Sequence, residues 1–120
     1  MFKPILGITM GDPASIGPEI TVKALARPEV YENCRPLVVG DACMMEKALK
    51  LVGHEEIKIH PVSDVKEALF TPGTIDVYDM KLVDAETLPI GKVTAEAGNA
   101  AFQYVKKVIE LAKNSFSLFR

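Results

Sequence analysis

The sequence has no tryptophan and only two cysteines, Cys34 and Cys43. Eight residues lie between the two, a spacing that matches no common zinc pattern, and no second cysteine pair follows. Two cysteines are also too few for a disulfide scaffold, and a reduced, cytoplasmic protein is the reading that fits. Neither sign of charge dominates: 14 Lys+Arg against 16 Asp+Glu leave a formal net charge of −2. Without an excess positive field, neither nucleic acid nor an anionic membrane surface is expected as a partner. No run approaches the roughly 20 apolar residues of a membrane span. The apolar hexapeptide from Ile5 to Met10 is too short for a secretory h-region and has no small-residue cleavage site after it. Internal repeats and low-complexity tracts are missing too. What is present is an ordinary globular composition, 48% hydrophobic and 25% charged over 120 residues, which reads as one domain with a real core.

Short β-branched runs alternate with helical stretches. Ile5 to Met10 reads as a buried strand, and Gly17-Pro18 opens a helix through about Ala26, with proline where its missing N–H costs nothing. Arg27-Pro28 ends that helix. Pro36 to Gly40 is a second buried strand, followed by Asp41 as a helix N-cap. Met45, Ala48, Leu49 and Val52 then share one helical face, Glu46 and Lys50 pair on the other, and Gly53 is the stop. Ile57 to Val62 alternates as a half-buried strand. Ser63 to Leu69 is a short helical turn, Thr71-Pro72-Gly73 a turn, and Ile75 and Val77 mark another strand. Leu82 to Lys92 is a loop. A long helix begins at Thr94, with Ala97, Ala101, Tyr104, Val105, Val108 and Ala112 on one face and Lys106 paired with Glu110 outside. This alternation predicts an α/β fold, a mostly parallel sheet with helices on both faces. Nothing punctuates the change from the long helix to Ser115–Arg120, and a sheet of this kind should continue, so the chain reads as cut off.

The segment from Gly11 to Glu19 carries the most information. It joins the first strand to the first helix, on the side where open α/β sheets bind ligands. Its two glycines permit unusual backbone angles and close approach, its prolines stiffen it, and the helix after it offers free N–H groups. It is neither a G-x-G-x-x-G turn nor a P-loop, and a carboxylate at Asp12 would repel a phosphate. A ribose hydroxyl, an amide or a backbone N–H suits Asp12 better. Two readings of Asp12 stay open: it contacts a ligand, or it hydrogen-bonds its own loop.

The run Gly7-Ile8-Thr9-Met10-Gly11-Asp12-Pro13-Ala14-Ser15-Ile16-Gly17-Pro18-Glu19-Ile20 resembles the opening signature of the PdxA family, the 4-hydroxythreonine-4-phosphate dehydrogenases. The resemblance continues through Pro36 to Asp41, Pro72 to Val77, and Gly91-Lys92-Val93 with Gly98, as far as about Lys113. It implies that residues 1–114 are the N-terminal part of an isocitrate/isopropylmalate-dehydrogenase-like α/β domain, with 115–120 as a tail that does not match. It implies a homodimer when full length, and NAD-dependent oxidation of a small phosphorylated hydroxy acid, then decarboxylation. A divalent metal (Zn, Mg, Mn or Co) would polarise the alcohol oxygen, held by histidines downstream of this chain. Gly11, Asp12, Ile16 and Gly17 are the candidate cofactor-binding residues; no catalytic residue and no metal ligand is assigned within the chain.

Two departures stand out. The family usually has glycine where this sequence has Ser15, which would be strained if that site needs positive φ. The tail does not resemble the strand expected after Asn114.

The expected substrate is 4-phosphooxy-threonine, on the route to pyridoxal phosphate. D-threonate or D-erythronate 4-phosphate is the alternative, which the stretch from Val65 to Val105 favours. A catalytically inactive remnant is the competing non-enzymatic reading. A phosphate acetyltransferase would share the superfold, but the loop from Gly11 to Glu19 argues against it. His54 and His60 read as rim histidines without further ligands at the right spacing, Met44 and Met45 as core fillers, and Cys43 as a small buried hydrophobe. Glu55-Glu56 and Lys106-Lys107 read as solvated faces. Asp76, Asp79 and Asp84 are too scattered for a calcium loop. Thr94, Glu96 and Asn99 cluster at the start of the long helix, where Thr94 suits a cap and a cleft-facing role stays open.

Overall fold

A computed structural model describes residues 3–114. Four parallel strands form one sheet: β1 (Ile5–Thr9), β2 (Arg35–Gly40), β3 (Lys58–Val62) and β4 (Thr74–Asp79), in the spatial order β1-β2-β4-β3. Between them run α1 (Gly17–Leu25), the short α2 (Val30–Asn33) and α3 (Ala42–Val52), with a 3-10 turn at Val65–Glu67, and α4 (Ala95–Asn114) follows β4. The expected α/β architecture is therefore present. α2 was not legible, because four residues carry no helical period.

Side-chain alternation divides the sheet into two faces. Val38, Ile75 and Val77 face α1 and α3 through Val22, Leu25, Met45, Ala48 and Leu49. Leu37 and Val62 face the other way, against Val65 and the distal half of α4 at Val108 and Leu111. The first two crossovers thus lie on one face, as right-handed connections advancing in one direction require, whereas α4 packs across β2 and β1 on the other. β2 is buried along nearly its whole length. β1 is not: only Ile5 is buried, and Leu6 is half exposed on a strand that has one edge unpaired among the described residues.

Gly53 closes α3 at φ 77°, in the left-handed region that glycine enters without strain. Thr94 caps α4, its Oγ1 accepting the Ala97 N–H at 3.1 Å. The buried face of α4 is rotated from the expected one. Ala97, Ala100 and Tyr104 are buried, whereas Val105 is 46% exposed, beside Phe102 at 62% and Ile109 at 53%. The expected Lys106–Glu110 pair is replaced by Lys107–Glu110 at 2.8 Å, with Lys107 also over the Tyr78 ring. Glu46 and Lys50 form no ion pair among the described residues. Residues 115–120 lie outside the described residues, and so does every expectation placed on them. Among the described residues no helix is long and apolar enough to cross a membrane.

Candidate functional site

In an open parallel sheet the ligand crevice opens where adjacent strands send their connections to opposite faces. Here that point falls between β2, which leads into α3, and β4, which leads toward α4. The protein fills it with its own groups. The Met80 N–H donates to the Gly40 carbonyl at 2.8 Å, and the Ala42 N–H donates to Asp79 Oδ1 at 3.1 Å. Asp41, fully buried, accepts the Leu82 and Val83 N–H groups at Oδ2 (2.7 and 2.8 Å) and the Tyr104 hydroxyl at Oδ1 (2.7 Å). Asp41 therefore stands at the N-cap position but does not cap α3 with its side chain; Asp79 supplies that bond from the neighbouring strand. Burial and the bond to Asp41 push the Tyr104 phenol well above its ordinary range.

The candidate turn lies beside this point, at the carboxyl end of β1. The Met10 N–H extends the ladder to the Val39 carbonyl at 2.9 Å, and Met10 is buried between two glycines. A Cβ on Gly17 would lie 2.3 Å from the Met10 carbonyl oxygen, and one on Gly40 would lie 2.5 Å from Met10 Cβ. Gly11 takes φ +80°. Asp12 Oδ1 then accepts the Ala14 N–H at 2.8 Å, and its carbonyl accepts the Ser15 N–H at 3.1 Å. From the other side the Gly91 N–H donates to the Ala14 carbonyl at 2.7 Å, so the stretch after β4 folds against this turn. Ile16 occupies the N-cap position of α1 with no side-chain cap bond, and it is 60% exposed.

The four candidate residues thus meet in one turn. Two of the glycines are explained by packing and backbone angle alone. Asp12 does bond its own loop, through one oxygen; its Oδ2 makes no hydrogen bond among the described residues. Ser15 is a correction. The non-glycine residues at positive φ are Phe70 and Lys81, so Ser15 is not held in a left-handed conformation and carries no such strain. Sequence reasoning missed Asp41 as a buried hub, because its partners lie more than 40 residues away.

A sequence profile of the family described as pyridoxal phosphate biosynthetic protein PdxA matches residues 32–116. The chain belongs to the PdxA family. It is 51% identical over 110 residues to a provisionally named D-threonate 4-phosphate dehydrogenase of Symbiobacterium thermophilum, a match covering 92% of this chain and 32% of that protein. It is 45% identical over 113 residues to the D-threonate 4-phosphate dehydrogenase of Cupriavidus necator, covering 94% of this chain and 33% of that one. The crystal structure of a 4-hydroxythreonine-4-phosphate dehydrogenase from Burkholderia phymatum matches with a TM-score of 0.92 at 46% identity, over 97% of this chain and 34% of that one. This PdxA chain accordingly spans about a third of the length of the relatives it matches.

Within this part of a PdxA protein the histidines do not converge. His54 Nδ1 lies 3.0 Å from Glu56 Oε2, and His60 Nδ1 lies 2.8 Å from Asp76 Oδ1. Among the described residues no group of three His, Cys, Asp or Glu side chains could hold a metal ion. Asp76 is buried and also accepts the Leu69 and Phe70 N–H groups at 3.1 and 2.8 Å, so it is committed to the sheet edge. Cys43 is exposed, contrary to the buried hydrophobe expected; its partial burial still pushes the thiol up.

Proposed function

We propose that the chain is the N-terminal third of an NAD-dependent, divalent-metal-assisted dehydrogenase acting on a small phosphorylated hydroxy acid. The observation that carries this reading is the family membership, joined to two curated relatives named for D-threonate 4-phosphate. Their names favour D-threonate 4-phosphate over 4-phosphooxy-threonine as the substrate to try first. In the reaction the carbon bearing the secondary hydroxyl gives its hydride to NAD, the hydroxyl proton leaves to a base, and the resulting β-keto acid loses carbon dioxide.

The turn from Gly11 to Gly17 lies at the carboxyl end of β1 and fits a neutral, hydroxyl-bearing part of the cofactor. Asp12 Oδ2 is the acceptor for a ribose hydroxyl. Exposed Ile16 offers apolar surface beside it, and the Gly11 and Gly17 backbones permit close approach. The pyrophosphate fits less well, because Asp12 and Glu19 both place negative charge at the start of α1. When bound, the metal supplies Lewis-acid polarisation of the alcohol oxygen. No set of the described residues fits it. A cytoplasmic homodimer completes the reading.

The test is reduction of NAD by the full-length protein, offered D-threonate 4-phosphate or 4-phosphooxy-threonine with zinc, magnesium, manganese or cobalt. Turnover is expected with the first substrate at the higher kcat/KM. The 120-residue chain alone is expected to give none. Failure of the full-length protein on both substrates would overturn this reading.

A further inference from the structure

Asp41 sits at the end of β2, outside the turn that takes the cofactor in the proposed reading, yet its buried carboxylate holds the start of the segment that forms the far wall of that turn. The polypeptide leaving β4 is held at Met80 by the Gly40 carbonyl and then reaches Asp41 through the Leu82 and Val83 N–H groups at 2.7 and 2.8 Å. It then makes a self-contained turn on Asp84, whose carbonyl accepts the Thr87 and Leu88 N–H groups and whose Oδ1 accepts that of Glu86. Leu88 is buried beneath this turn, and Lys47 reaches its outer side at the Ala85 carbonyl. Three residues later the Gly91 N–H closes onto the Ala14 carbonyl at 2.7 Å. The segment is thus a short stiff bracket, pinned to Asp41 at one end and to the candidate turn at the other. The second oxygen of Asp41 holds the Tyr104 hydroxyl, which fixes α4 to the same point.

We infer that Asp41 is a positioning residue, setting the distance between the bracket from Leu82 to Gly91 and the turn from Gly11 to Gly17, with Tyr104 locking its carboxylate in place. The inference that this distance matters for cofactor binding rests on the reading of the turn given above; the coupling of bracket to turn does not. A buried carboxylate with three donors has no slack, since each partner left without it is a buried polar group unpaired. A hydrophobic contact in its place would hold the bracket less directionally. Asparagine is the conservative variant. Its oxygen can accept both backbone N–H groups, and its amide can donate to the Tyr104 hydroxyl, which accepts as readily as it donates.

The experiment is amide hydrogen exchange on the full-length protein, followed residue by residue, with Asp41→Ala, Asp41→Asn and Tyr104→Phe. Asp41→Ala is expected to speed exchange at Leu82, Val83 and Gly91 by about tenfold or more, the loss of a charge-assisted hydrogen bond, while the amides of β2 and β4 keep their rates. Asp41→Asn is expected to restore Gly91 to near its original rate. Equal acceleration at all amides, or an unchanged Gly91, overturns the inference. If Asp41→Ala fails to fold, Tyr104→Phe decides, since it keeps both backbone bonds: faster exchange at Gly91 supports the bracket, and no change overturns it. NAD kinetics of the full-length protein separate the two ideas. Where Gly91 is loosened, a raised KM for NAD at unchanged kcat agrees with both. An unchanged KM shows that the spacing of bracket and turn does not bear on cofactor binding and leaves the bracket standing.

Discussion

Gly17 and Met10 are fitted to each other, since a Cβ at position 17 would stand 2.3 Å from the Met10 carbonyl oxygen. The obstacle is backbone, and it cannot rotate away. At Gly40 the obstacle is the Met10 side chain, at 2.5 Å from Cβ and 2.9 Å from Sδ. Gly17→Ala is therefore expected to destabilise by about 2 kcal/mol or more, in the range of overpacked sites, and to shift the start of α1. Gly40→Ala is expected to cost less, because part of the methionine can adapt. Denaturant melts of the two variants check the order.

Ser15 does not enter the left-handed region of backbone angles. Ser15→Gly should then relieve nothing. It should lower stability by about 0.5 kcal/mol through the greater freedom of the unfolded chain, and leave the KM for NAD unchanged. A gain in stability on thermal melting would mean that serine is strained after all.

Tyr31 and Tyr104 make the fold sensitive to alkali. Burial pushes the Tyr31 phenol up to about 12, with Asp76 adding to it, and moves Tyr104 further in the same direction. Both are neutral when protonated, so the folded state holds its proton where the unfolded chain has lost it. Their contribution is whole below pH about 10, the unfolded value, and falls by about 1.4 kcal/mol per pH unit for each tyrosine above it. Stability measured by denaturant should fall steeply between pH 10 and 12, and Tyr104→Phe should flatten that fall. A slope unchanged in Tyr104→Phe would contradict this assignment.

The stripe of Phe102, Val105 and Ile109 on α4 is exposed, and the outer edge of β1 is unpaired among the described residues. Such surfaces drive association. The 120-residue chain should sediment as a mixture above the monomer, and Phe102→Glu with Ile109→Lys should shift it toward monomer without changing helix content. A sharp monomer before substitution would show the stripe to be harmless.

The sheet and its main helices were legible because each runs on one period. β2 is uniformly apolar, α3 repeats every three to four residues, and proline and glycine mark the ends of α1 and α3. The face of α4 was legible in part: of the expected row, Ala97 and Tyr104 are buried and Val108 packs against the core, whereas Val105 and Ala112 are exposed and Ala100 is buried instead, because the period alone does not fix the rotation of the helix. Tyr104 chooses, by reaching Asp41 across 63 positions of sequence. The candidate turn was legible as a place, from its glycines, prolines and position after a strand. The bracket from Leu82 to Gly91 was not, because its anchors are single hydrogen bonds between distant segments.

Asp12→Asn tests the central claim, that the turn after β1 takes part in cofactor binding. Asparagine keeps an oxygen for the Ala14 N–H, so the turn survives while the charge on the free oxygen goes. In the full-length protein the KM for NAD should rise by about tenfold, the worth of one hydrogen bond to a charged group, with kcat for D-threonate 4-phosphate and the melting temperature nearly unchanged. A lowered melting temperature with KM and kcat both unmoved would mean that Asp12 serves only its own loop, and would contradict the account.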